Sequence, residues 1–162
     1  MFKFEKLVFG DLGWGDELLL ATLMTITVSI LSMGLGLCLA IVTVWAKLIT
    51  NRIARLIANF YTTVVRGVPE LLVIYLIFFG GNSVVMSVAK LFGYNGYIEL
   101  NALTIGTIAI AFISATYSSE VIRAAYLSVN KGQVEAAKAL GLSKFQILLR
   151  VMGPQIIRFA LP

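Results

Sequence analysis

Histidine is absent from this chain, cysteine occurs once and proline three times in 162 residues. Without imidazole there is no histidine-based catalytic triad, no histidine metal ligand and no side chain whose ordinary pKa lies near neutrality. The single thiol, Cys38, has no partner for an intrachain disulfide and, set in an apolar run, reads as a small packing residue. Charge is scarce as well: Asp, Glu, Lys and Arg make up 13% of the chain, against about 25% in soluble domains. No G-x-x-x-x-G-K-S/T phosphate loop occurs, so ATP has no P-loop cradle here. Nor do paired acids, or a nucleophile with its base, fall at usable spacing. These absences argue against an enzyme, a bound metal and a resident cofactor.

What the chain has in abundance is apolar sequence. Hydrophobic residues account for 59% and the mean hydropathy is +0.94, above the about 45 to 50% apolar share usual in soluble domains. Leu18 to Ala46 carries no charge and exceeds the ~20 residues a helix needs to cross the hydrocarbon core. It is too long for a cleaved signal peptide, follows four acids (Glu5, Asp11, Asp16 and Glu17) and lacks a small-x-small cleavage site. A second apolar segment falls within 55–80, interrupted by Arg66, Gly67, Pro69 and Glu70, and a third spans 100–120 and continues helically to 128. A fourth begins near 151, and the twelve residues from there to Pro162 are too few for a span, so it is expected to be truncated. The expected fold is all-α and transmembrane, one domain over 1–162, with three spans and part of a fourth.

Lysine and arginine orient such spans, because short loops rich in them stay in the cytoplasm. Lys47, Arg52 and Arg55 follow the first segment, and Arg123, Lys131, Lys138, Lys144 and Arg150 follow the third. The N-terminal region has Lys3 and Lys6, and the link between the second and third segments has only Lys90. Residues 47–55 and 128–150 are therefore expected in the cytoplasm and the N-terminus outside. The net charge of +5 is scattered between apolar segments with no continuous basic stripe, which argues against nucleic acid and leaves the lipid bilayer as the surrounding partner.

Within the apolar segments, Ser32, Gly36 and Ala40 recur every four residues, as do Ala111, Ala115 and Ser119. Small residues at that spacing let helix backbones approach closely in lipid. Arg66 and Glu70 are four apart and Glu120 and Arg123 three apart, so each pair is spaced to share a helix face. Such charges either anchor a helix at the membrane interface or line a wet path, and both readings stay open here. Pro69 in the same stretch is expected to free the Val65 carbonyl, and a broken helix is one way to build a substrate site.

Between the third and fourth segments lies the polar island KGQVEAAKALGLSK, residues 131–144. Asn130 is placed to cap a helix, with Gln133 at its third position, and Gly141 is placed to end it in the left-handed conformation. Ser143 and Gln146 form a capping box that opens the next helix. Ala136, Ala137 and Ala139 leave the short helix little bulk, which suits docking against another protein.

The order Glu135-Ala136-Ala137, three residues, Gly141, nine residues, then Val151-x-Gly153-Pro154 resembles the signature loop of permease subunits of bacterial ABC importers. Isoleucine is usual in that family where Val151 stands, and leucine where Gly153 stands. YTTVVRGVPELL (61–72), YSSEVIRAA (117–125), NKGQVEAAKALGLS (130–143) and PQIIRFALP (154–162) look like the polar amino-acid branch. The acid Glu70 after RGVP is most similar to the subgroup for basic amino acids and opines such as octopine. The resemblance implies a permease fold of about five core helices in a bacterial inner membrane. Two permease subunits, the same or sisters, would form the pore, with ATP-binding cassette ATPase subunits beneath and an external substrate-binding protein above. Residues 131–146 would be the cytoplasmic coupling loop, with Glu135, Ala136, Ala137 and Gly141 as its ATPase-coupling residues. Arg66, Glu70, Glu120 and Arg123 become candidates for the translocation path. The activity implied is ATP-driven import of polar, especially basic, amino acids or opines, with hydrolysis in a separate subunit. A channel or passive carrier without an ATPase is the alternative use of the same helices.

Overall fold

The computed structural model describes residues 13–94, 96 and 101–161. Lys3, Glu5, Lys6 and Asp11, which bear on the expected external N-terminus, lie outside the described residues. The described residues form α1 (Gly15–Leu48), α2 (Arg52–Gly67), α3 (Glu70–Leu91), α4 (Ala102–Ser128), α5 (Lys131–Ala139) and α6 (Lys144–Gln146), then a π-helical turn (Ile147–Met152) and α7 (Gly153–Ala160), with no strand among them. Three of these, α1, α3 and α4, are long and apolar enough to cross a membrane.

The second apolar segment, expected as one interrupted span within 55–80, is two helices. The ring of Pro69 disfavours helical geometry in the residue before it, and Val68 is extended at φ −110° and ψ 143°. The chain therefore leaves α2 at Gly67 and starts again as α3, where the Pro69 carbonyl accepts from the Leu72 and Val73 amides at 2.9 and 3.3 Å. Pro69 thus lies at the cap of α3 rather than inside a helix. The span is α3, and α2 is a shorter helix that turns Ala58, Thr62 and Val65 toward the protein. Lys90, expected in a connecting loop, belongs to the last turn of α3.

The small-residue ribbons form the principal interface. Ser32, Gly36 and Ala40 on α1 are buried, as are Ala111, Ala115 and Ser119 on α4. Ser32 donates to the Thr107 carbonyl at 3.2 Å, and a Cβ on Gly36 would come within 3.2 Å of the Ala111 carbonyl oxygen. Larger residues there would hold the backbones apart. Residue numbers rise together along both helices, so α1 and α4 run parallel. In contrast α3 is antiparallel to α4, since Gly81 approaches Ile105 near one end while Glu70 shares a cleft with Tyr117 toward the other. Cys38 does not pack as expected: it is exposed, on the side of α1 away from the Gly36 and Ala40 ribbon.

The C-terminal ends of α1 and α4 consequently meet at one end of the bundle, where Trp45, Leu48, Tyr126, Leu148 and Ile156 line a shared cleft. Pro154 explains the widened turn that contributes Leu148. Proline has no amide proton and its ring opposes the carbonyl four residues back, and the helix accommodates it by widening to π just before it. Gly153 donates to the Leu148 carbonyl, whose oxygen would lie 3.0 Å from any Cβ at 153. The glycine that replaces the family's usual leucine relieves this close backbone approach.

Candidate functional site

Two polar regions carry the candidate residues, and the first is a junction where α2 breaks into α3 against α4. Val65, Val73 and Ile113 form its buried apolar base, with Tyr61 and Phe112 packed alongside. The Tyr61 hydroxyl donates to the Phe112 carbonyl at 2.5 Å, and the two rings are 4.7 Å apart. This clamp holds the last turns of α2 on α4 and so determines where Arg66 and Glu70 emerge. The two charges do not share a helix face as their spacing had predicted, because the extended Val68 and Pro69 separate them. Arg66 lies over the ring of Tyr117, its guanidinium carbon 5.4 Å from the centroid, within cation–π range. Glu70 lines a second cleft with Ser114 and Tyr117.

Glu120 and Arg123 do share a face, with Arg123 Nε 3.1 Å from Glu120 Oε2. The other carboxylate oxygen accepts from Lys47. Lys47 was expected in a solvated loop, but α1 continues past it and its side chain is only 4% exposed. It also donates to the Thr62 hydroxyl at 2.6 Å. An ammonium group removed from water requires such partners, and here three helices supply or hold them. Lys47, Thr62 and Tyr117 are the polar residues that reading the sequence missed. The available signal for Lys47 was that it directly follows an uncharged helical run, where one more turn turns a loop cation into a buried one.

The second region is the helix-turn-helix at the cation-rich end. Asn130 Oδ1 accepts from the Gly132 amide at 2.9 Å, capping α5 as expected. At its other end the Leu142 amide donates to the Ala137 carbonyl at 3.2 Å and the Gly141 amide to Lys138 at 2.9 Å. That pair of bonds needs a left-handed residue between them, and Gly141 has φ +77°. Ser143 and Gln146 complete both halves of the capping box, at 3.3 and 2.9 Å. The alanines divide: Ala137 is buried within the chain, whereas Glu135, Ala136 and Ala139 remain exposed. Gln155 on α7 donates to Gln133 at 2.6 Å, tying α5 to the last helix. Among the described residues no group of acids and thiols is arranged to hold a metal ion.

Three apolar helices long enough to cross a membrane and running in alternating directions, with charges gathered at a helix break, define a polytopic membrane protein. Residues 32–162 match the family of binding-protein-dependent transport system inner membrane components, and the chain belongs to that family. It is 48% identical to the nopaline transport system permease protein of Agrobacterium fabrum, over 96% of this chain and 66% of that protein. It is 40% identical to an octopine transport system permease protein of Rhizobium radiobacter, over 95% of this chain and 65% of the relative. Against the histidine/lysine/arginine/ornithine permease protein of Escherichia coli the identity is 35%, over 93% and 65% respectively. A crystal structure of an amino acid ABC transporter with histidines matches with TM-score 0.65 and 31% identity, covering 86% of this chain and 60% of that one. The chain thus spans about 65% of the length of these relatives. None of these relationships supports the channel or passive carrier without an ATPase.

Proposed function

We propose that this chain is the membrane-spanning permease part of an ATP-driven importer of polar, especially basic, amino acids or opines. The names of the relatives support that substrate class, and the dependence of the family on a binding protein supports an external delivery partner. The observation that carries the reading is the short capped helix α5, which presents Glu135 and Ala136 outward at the end of the bundle where most of the cations gather. By the positive-inside tendency that end is cytoplasmic, which places residues 47–55 and 128–150 inside and the N-terminus outside the inner membrane. There α5 docks on an ATPase subunit, and the Gly141 turn holds it at a set angle to α6. A second permease subunit, of the same or a sister kind, completes the pore. ATP hydrolysis belongs to the partner, and this chain converts closure of the ATPase into movement of the helices that α5 is tied to.

Substituting Ala136 by glutamate tests the coupling role without disturbing the chain's own packing, since Ala136 is exposed while Ala137 is not. Uptake by the reconstituted importer is expected to fall about tenfold, with membrane insertion unchanged and the ATPase less firmly retained on purification. Full uptake by Ala136→Glu would remove α5 from the coupling role. In the translocation path, Arg66 and Glu70 are assigned to substrate recognition; Glu120 and Arg123 border it, tied to each other and to Lys47.

A further inference from the structure

We propose that Tyr117 is a specificity-determining residue of this permease, dividing the polar junction into an anion-accepting and a cation-accepting lobe for amino acids with basic side chains. The inference rests on the importer reading above and extends it to a residue that reading does not assign. Tyr117 lines two clefts at once, one of 420 Å³ with Thr62, Thr63, Arg66 and the ion-paired Glu120, the other of 210 Å³ with Glu70 and Ser114. Arg66 lies over its ring, and Glu70 lines the second cleft beside it.

Charge accounting singles out the same residues. Among the described residues the ion pairs are those of Glu120 with Lys47 and with Arg123. Both oxygens of Glu120 are therefore committed, and it has little capacity left for a substrate ammonium group. Arg66 and Glu70 form no ion pair with each other although they are four residues apart: the break at Pro69 separates them, and they line different clefts that share Tyr117. Opposite charges kept apart in this way retain hydrogen-bonding capacity for a ligand that carries both signs. The fork of Arg66 suits an α-carboxylate, with the Thr63 hydroxyl on the same cleft wall. Glu70 suits a cationic group, and Tyr117 on the same cleft wall adds a hydroxyl and an electron-rich ring. A neutral side chain gains the first lobe only.

The test uses the complete importer in proteoliposomes, with its ATPase and binding protein, and labelled arginine and glutamine as probes. Tyr117→Phe keeps the ring over Arg66 and deletes the hydroxyl of the residue that shares a cleft with Glu70. It is expected to lower arginine uptake relative to glutamine about tenfold, with ATP hydrolysis stimulated by the loaded binding protein within about twofold of the parent. Tyr117→Leu removes both features and is expected to lower uptake of both probes. An unchanged arginine-to-glutamine ratio in Tyr117→Phe, or an equal fall for both, overturns the assignment. Glu70→Gln, assayed in parallel, separates the two levels of the argument. If it shifts the ratio and Tyr117→Phe does not, the tyrosine assignment fails and the recognition role of Glu70 stands. If neither shifts the ratio, both fail.

Discussion

The polar junction around Glu120 and the helix-turn-helix of α5 and α6 are both islands of polarity in an apolar chain, but opposite kinds of contact build them. In the helix-turn-helix, the capping bonds join near neighbours: Asn130 to Gly132, Ala137 to Leu142, Ser143 to Gln146. In the junction they join residues 15, 51 and 73 positions apart: Lys47 to Thr62, Tyr61 to Phe112, Lys47 to Glu120. A local contact closes almost no loop, so its stability is nearly independent of the rest of the chain. A remote contact exists only once α1, α2 and α4 have docked, and its strength depends on how dry that docking leaves it. The difference makes one region modular and the other cooperative.

The largest expected effect comes from breaking the cooperative region. Glu120→Ala leaves the Lys47 ammonium buried with the Thr62 hydroxyl as its remaining partner, and is expected to cost about 3 kcal/mol in unfolding measured in detergent. Adding Lys47→Met should recover a good part of that loss, because the stranded charge is then gone. A double-mutant cycle that is additive within about 0.5 kcal/mol would show that the two groups do not depend on each other.

Next comes the interface that brings the junction together. Gly36→Leu forces a side chain toward the Ala111 carbonyl and Ser114 and is expected to cost about 2 kcal/mol. It should also weaken the Lys47 to Glu120 coupling, measured by repeating the cycle in that background. The smallest effect belongs to the modular region: Asn130→Ala or Ser143→Ala removes a cap worth about 1 kcal/mol. That loss should add to the cost of Glu120→Ala without interaction. Strong coupling between the cap and Glu120 would erase the distinction between the two regions.

How much could be read in advance follows the same division. Asn130, Gly141, Ser143 and Gln146 were legible because capping is a property of three to five consecutive residues. The ribbons through Gly36 and Ala111 were legible as packing surfaces, since period four marks one helix face, and the structure adds that they meet each other in parallel. Pro69 was legible as a break. That the break places Arg66 and Glu70 in separate clefts that share Tyr117, rather than on one face, was not. Lys47 was misassigned to a loop for a related reason: its position one turn inside or outside α1 depends on whether Glu120 is there to receive it. Cys38 was misassigned because an apolar neighbourhood in sequence does not say whether lipid or protein faces a given side of a helix.

By itself the sequence determined that the chain is helical and membrane-spanning, where most of its helices start and stop, and that a short capped helix interrupts the last two apolar segments. Run length, capping and proline geometry suffice for that, because each acts within a few residues. Only the tertiary structure decided that Glu120 is committed to Lys47 and Arg123 while Arg66 and Glu70 are left facing Tyr117. The physical reason is that a charge in a membrane protein is defined by its partner and its burial, and here both come from helices that are distant in sequence.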